Sequence, residues 1–177
     1  MNIRRLDTGN KADYEFVQKI YIESFPPNER RPLNEFEKLI IGGQNFYIDL
    51  VLKDNGERIG FITFWDFHDF MYVEHFAVGA EFRNGGYGRR VMERFIAETN
   101  LPIVLEVEPP NDEMAKRRIN FYRRIGYNPW DIPYMQPPYE AKYEPLPMIL
   151  MTYGDINLTD NFEYVKNIIY KNVYNAI

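Results

Sequence analysis

Two periodicities alternate along this chain. Ile3–Leu6 reads as a short strand, and Asp7-Thr8-Gly9-Asn10 as a turn. Apolar positions then return every three or four residues (Phe16, Val17, Ile20, with Ser24), which predicts a helix capped by Asn10 or Thr8 and running to about Ser24. The proline-rich stretch Phe25–Pro32 breaks it. A second short helix is expected from Asn34 to Ile41, closed by Gly42-Gly43. The period then shortens. Phe46–Lys53 and Arg58–Phe67 read as strands, joined by Asp54-Asn55-Gly56, whose Asn-Gly pair suits a hairpin turn. Phe70–Val78 is a third strand, reached through His68-Asp69, so the centre of the chain is an antiparallel meander.

Helical spacing returns after Gly88 with Val91, Met92, Phe95 and Ile96, and stops near Asn100. Pro102–Glu108 reads as a strand. Reached by a helical crossover, it is expected to lie parallel to Phe70–Val78. Asn111 reads as the cap of the next helix, which shows Met114, Ala115, Ile119, Tyr122 and Ile125 on one side and ends at Gly126. Tyr127–Tyr134 reads as a strand, Gln136–Tyr139 as a loop and Leu146–Thr152 as a last strand. Asp160–Ala176 forms an added helix, with Phe162, Val165, Ile168, Ile169, Val173 and Ile177 at helical spacing. No repeat or composition break interrupts the chain. The expectation is one mixed α/β domain, residues 1–153, followed by a helical extension, 154–177.

Composition narrows the chemistry. With 177 residues, 45% apolar and 27% charged, the chain matches a soluble domain with a good core. Its 14 Tyr and 13 Phe suit aromatic packing or an aromatic-walled cleft. A net charge of −5 argues against a nucleic-acid partner, which needs a basic surface, and permits a cationic amine. Without Cys there is no thiolate nucleophile, disulfide or thiolate metal site. With only His68 and His75, a histidine metal site is not expected either. The N-terminal stretch lacks a signal-like apolar run, and no run is long enough to span a bilayer. The expectation is a cytoplasmic protein with no membrane partner.

The stretch Arg83-Asn84-Gly85-Gly86-Tyr87-Gly88 lies between the apolar run Phe76-Ala77-Val78 and the helix that follows. A strand, a glycine turn and a helix start present bare N–H groups to an anion. A Rossmann site would place such a turn after the first strand of a parallel series, whereas this one follows a meander. A P-loop needs Gly-Lys-Ser/Thr, but Gly88 is followed by Arg89-Arg90. Further on comes Asn120-Phe121-Tyr122-Arg123-Arg124-Ile125-Gly126-Tyr127. With these two motifs and the element order, the chain resembles the GNAT superfamily of acyl-CoA N-acyltransferases over roughly residues 2–152.

The resemblance implies a GNAT-like fold: a central mixed, mostly antiparallel sheet of about seven strands flanked by helices, plus the C-terminal helix. It implies acetyl-CoA as co-substrate, no metal, and acetyl transfer to a primary amine of an unidentified small molecule or peptide. By that likeness the amides of Asn84, Gly85, Gly86, Tyr87, Gly88 and Arg89 would cradle the pyrophosphate, with Arg83 shaping the loop. The backbone of Phe76, Ala77 and Val78 would pair with pantetheine, and the amide of Val78 could serve the oxyanion. Tyr122 would be the catalytic acid at the sulfur. In the family the base often lies on the strand before the loop. Alternation puts Tyr72, Glu74 and Phe76 on one face there, and Glu74 is the only carboxylate of the three. It reads as base or ammonium anchor, or as a satisfied buried carboxylate. His75 falls on the other face, as a packed or hydrogen-bonded core histidine. Glu106 and Glu108 share a face of the next strand and could act through water.

One departure stands out. Many members carry Asn seven residues before the tyrosine and Ala four before it; here these are Ala115 and Arg118, and Asn111 is the candidate to take the Asn role. Arg117 and Arg118 could reach a 3′-phosphate or form a solvated face. The acceptor side is expected over the first helices, the Pro26–Pro32 loop and the segment Tyr134–Glu144, with Tyr21, Phe25, Trp65, Tyr134 and Tyr139 as candidate walls. The alternative function is a non-catalytic acyl-CoA-binding regulatory module. The C-terminal helix packs on its own domain or pairs two copies, giving a monomer or a homodimer.

Overall fold

The computed structural model describes residues 1–42, 44–156 and 158–176. The elements are β1 (Asn2–Arg5), α1 (Lys11–Ser24), α2 (Leu33–Gly42), β2 (Phe46–Leu52), β3 (Arg58–Asp66), β4 (Met71–Val78), α3 (Tyr87–Glu98), β5 (Ile103–Val107), α4 (Glu113–Arg124), β6 (Asn128–Pro129), β7 (Tyr134–Gln136), β8 (Leu146–Tyr153) and α5 (Leu158–Ile169), which runs on into a π-helical turn, Tyr170–Tyr174. The expected helix end at Gly43 and the apolar position Ile177 lie outside the described residues.

The strands form an eight-stranded sheet in the order β1-β2-β3-β4-β5-β8-β6, with β7 also paired to β8. Neighbours are antiparallel except β4 and β5, where the helical crossover makes them parallel as expected. Each face of the sheet carries its own core. On one face α1, α2, α5 and the π turn contribute Val17, Ile20, Phe36, Val165, Ile169 and Val173. On the other, α3 and α4 contribute Met92, Phe95, Ile119 and Ile125. The apolar side of the C-terminal helix is thus spent against its own sheet. Asn10 caps α1, accepting from the amide of Asp13. The buried Asp13 carboxylate bridges Arg4 of β1 and Arg58 of β3. Burial alone would raise its pKa, but the two guanidiniums outweigh burial and hold it below the usual carboxylate range.

Three local expectations change. The cap of α4 is Asp112, not Asn111: its carboxylate accepts from the Ala115 amide at 2.7 Å. Met114, read as part of the apolar side, is exposed. The predicted strand Tyr127–Tyr134 splits, because Pro129 and Pro133 withhold ladder donors; β6 keeps two residues and β7 begins only at Tyr134.

Candidate active site

The site begins with one extra residue in β4. Thr63 pairs with His75 and Phe64 with Val73, so Glu74 is bulged out of the ladder. The bulge breaks alternation. Glu74 and His75 now face the same side, towards α1, while Phe76 packs on the α3 and α4 side. The expectations that Tyr72, Glu74 and Phe76 share a face, and that His75 opposes Glu74, both fail for this reason. His75 is a buried, hydrogen-bonded core residue as expected. Its backbone amide donates to Thr63 Oγ1, and its Nε2 lies 3.1 Å from the Glu29 carbonyl. Burial pushes its pKa down, keeping the ring neutral.

The same bulge opens the sheet. Pairing between β4 and β5 runs from Met71–Ile103 to Val73–Leu105 and stops there. Beyond it the two strands diverge around a hollow of about 370 Å³. Val73, Phe76, Ala77 and Val78 line it from β4, Leu105 and Glu106 from β5, and Met114, Arg118, Phe121 and Tyr122 from α4. Ser24 and Phe25 close it from the end of α1.

The glycine turn lies at one end of this gap. Asn84 and Gly86 both have positive φ, at 65° and 72°, which turns the chain sharply into α3. Arg83 Nε donates to the Val78 carbonyl at 3.1 Å, tying the turn to the end of β4. Next to the first hollow is a second of about 330 Å³, lined by Val78, Arg83, Asn84, Gly86, Tyr87, Gly88, Arg89 and Phe121, with Arg124 beyond. Its open amides and three arginines suit an anionic ligand. The two hollows share Val78, Arg83, Gly88 and Phe121, so they form one groove. All the predicted donor-side residues lie in or against it except Asn111, which sits in the exposed turn before α4. Gly85 is in the turn, and a Cβ there would sit 3.1 Å from the Tyr87 ring.

Two carboxylates flank the gap in opposite electrostatic settings. Glu74 borders the hollow with its backbone, but its side chain is only 1% exposed. Arg31 Nε and the Tyr139 hydroxyl donate to its Oε1 at 3.0 and 2.9 Å, and Trp65 Nε1 donates to its Oε2 at 2.6 Å. Burial would raise its pKa, but the Arg31 guanidinium and these donors outweigh burial and hold it below the usual range. Among the described residues, no cation pairs with Glu106. The hydroxyls of Tyr134 and Tyr174 donate to its two oxygens, and burial pushes its pKa up to about 7. Tyr122 reaches the gap from the other face of the sheet, and burial pushes its hydroxyl up to about 12.

Of the aromatic residues proposed as acceptor walls, Phe25 lines the hollow. Tyr21, Trp65, Tyr134 and Tyr139 form the buried layer behind Glu74 and Glu106. Arg118 lines the hollow and pairs with Glu108. Sequence reasoning missed Arg31, Ser24, Met114 and Tyr174. Arg31 sits in an irregular loop and Tyr174 near the far end of the chain, where no local pattern announces a role. Among the described residues no group of His, Cys, Asp or Glu could hold a metal, and no helix is long and apolar enough to cross a membrane.

The sequence profile of the acetyltransferase (GNAT) family matches residues 14–127. A protein from Bacteroides thetaiotaomicron, assigned to the GNAT family as an acetyltransferase, superposes with a TM-score of 0.95 at 41% identity, over 100% of this chain and 99% of that one. A point mutant of spermidine N-acetyltransferase from Vibrio cholerae shares the fold at 16% identity and a TM-score of 0.64, over 86% and 94% of the two chains. An aminoglycoside 6′-N-acetyltransferase complexed with coenzyme A does so at 16% identity and 0.60, over 89% and 98%. No curated protein sequence matches. The chain belongs to the acetyltransferase (GNAT) family.

Proposed function

We propose that this protein transfers the acetyl group of acetyl-CoA to a primary amine, with Glu106 as general base and Tyr122 as general acid. The observation that carries this reading is the splayed β4–β5 gap, which has an amide-rich turn at one end and an ionisable pair, Glu106 and Tyr122, reaching it from opposite faces of the sheet. The residues present suit the donor. The Asn84–Arg89 amides with Arg83, Arg89 and Arg124 would take the phosphates, and the β4 edge from Phe76 to Val78 would take the pantetheine arm as an added strand.

The chemistry needs two proton transfers. The amine nitrogen attacks the acetyl carbonyl carbon, a C–N bond forms, and the C–S bond then breaks. An alkylammonium has a pKa of about 10.4, so it must first lose one proton to solvent to give the attacking amine, and the nitrogen sheds a second, to Glu106, as the C–N bond forms. A carboxylate near 7 is a stronger base than an ordinary one near 4.5, and about half of it is ionised at neutral pH. Glu106 therefore suits the role better than Glu74, which the Arg31 guanidinium holds ionised and makes a weaker base. Tyr122 keeps its proton until the thiolate leaves, and the proton then passes to sulfur.

Spermidine and aminoglycosides, the acceptors in the names of the two distant structures, are both amines and form a first panel. Titration calorimetry should show acetyl-CoA binding. Gly86→Glu, which puts a carboxylate on a positive-φ position of the phosphate turn, should weaken it at least 100-fold, about 2.7 kcal/mol. No heat with the wild type at about 1 mM acetyl-CoA would overturn the reading. Thiol release with the amine panel separates an enzyme from a module that only binds acyl-CoA.

A further inference from the structure

The family match ends at residue 127, yet the groups that hold both buried carboxylates come partly from residues 173 and 174. We infer that the C-terminal π turn forms part of the buried layer behind the active site, and that Tyr174 is a positioning residue that orients the Glu106 carboxylate for proton transfer.

The turn is built for this. α5 ends at Ile169 and the next five residues widen into a π turn, a local form often found at functional sites. Val173 and Tyr174, adjacent in sequence, are both buried against the sheet. The chain then leaves through Asn175, whose φ of 53° is left-handed. The carbonyl of Val173 accepts from Arg31 Nη2, which supports the cation that fixes Glu74. The hydroxyl of Tyr174 donates to Glu106 Oε2 at 2.8 Å. It is itself held from two sides: Gln136 Nε2 donates to it at 2.6 Å, and the Tyr72 hydroxyl lies 3.1 Å away. Its ring packs 5.0 Å from that of Tyr139. With the amide donating inwards, the phenol proton is directed at the carboxylate.

The other groups facing Glu106 are Tyr72 and Glu74 of β4, Tyr134 of β7 and Tyr170 of the turn; Arg31 lies beyond, engaged by Glu74. Tyr134 fixes the second oxygen and Tyr72 adds a further hydrogen bond, so Tyr174 is one of three hydroxyls that set the direction and the basicity of the carboxylate. Hydrogen bonding to the charged form favours it, and losing such a donor makes the carboxylate harder to ionise.

The inference rests on Glu106 being the base, and the test separates the two. In the full chain, Tyr174→Phe keeps the ring and removes the donor. The acid limb of kcat is expected to move up by about one pH unit, so that kcat falls about tenfold at pH 6 and recovers by pH 9, with acetyl-CoA affinity unchanged. Gln136→Met, which frees the phenol without deleting it, should move the limb the same way by less; it decides the matter if Tyr174→Phe does not fold. A limb that stays put in the folded variant while Glu106→Gln is inactive overturns the role of Tyr174 alone. Wild-type turnover in Glu106→Gln overturns the base assignment, and the inference falls with it.

Discussion

Two glutamates on neighbouring strands differ because of what touches them. Glu74 has a guanidinium and two neutral donors; the partners of Glu106 among the described residues are hydroxyls. One is held ionised, while the other titrates near neutrality, which is how a single residue type can supply both a structural anion and a base. This contrast was half legible in the sequence. Both carboxylates stand out within apolar strands, and both are candidates on that ground. What cannot be read is Arg31, 43 positions before Glu74 in an irregular segment, which pairs with the Glu74 carboxylate and holds it ionised. Glu74→Gln should therefore act on stability. It leaves the Arg31 side chain, 9% exposed, without its counter-charge, and urea unfolding should show a loss of about 3–5 kcal/mol. An unchanged unfolding midpoint with lost turnover would return Glu74 to catalysis.

At the scale of elements, periodicity served well until the bulge. The helices, the meander, the hairpin at Gly56 and the parallel β4–β5 pair all follow from apolar spacing and turn residues. Alternation then fails at one residue, because an inserted position in a strand leaves no mark on an apolar run. The π turn is hidden for the same reason: a helical period continues through it. Register around the gap is also set by a close approach. A Cβ on Gly60 of β3 would sit 2.3 Å from the backbone oxygen of Ala77, in the stretch of β4 that borders the hollow. Gly60→Ala should push that stretch outwards, lowering stability by about 1–3 kcal/mol and weakening acetyl-CoA binding. Equal stability and affinity in the variant would show that this edge tolerates displacement and does not seat the donor.

Across the whole molecule, the sheet separates two cores and the gap joins them. Tyr122 belongs to the α3 and α4 face, and Glu106 to the face covered by α1, α2, α5 and the π turn. The proposed acid and base meet because β4 and β5 part between the two cores. The proposed donor end was readable from the glycine turn and the tyrosine helix, which sit close in sequence to the elements they serve. The proposed acceptor side was readable as a region that includes the Pro26–Pro32 loop, but not its individual groups, because the partners of Glu74 and Glu106 come from a loop near residue 31 and a turn near 174. The most direct test of this arrangement is the pH dependence of kcat for thiol release from acetyl-CoA, wild type beside Glu106→Gln, with an amine that turns over. A protonated Glu106 cannot accept the proton, so the wild-type rate should fall as pH drops through about 7. Glu106→Gln should lose about 10²–10⁴-fold in kcat, and the acid limb with it. Wild-type rates in Glu106→Gln, or a limb that survives the substitution, would contradict the account.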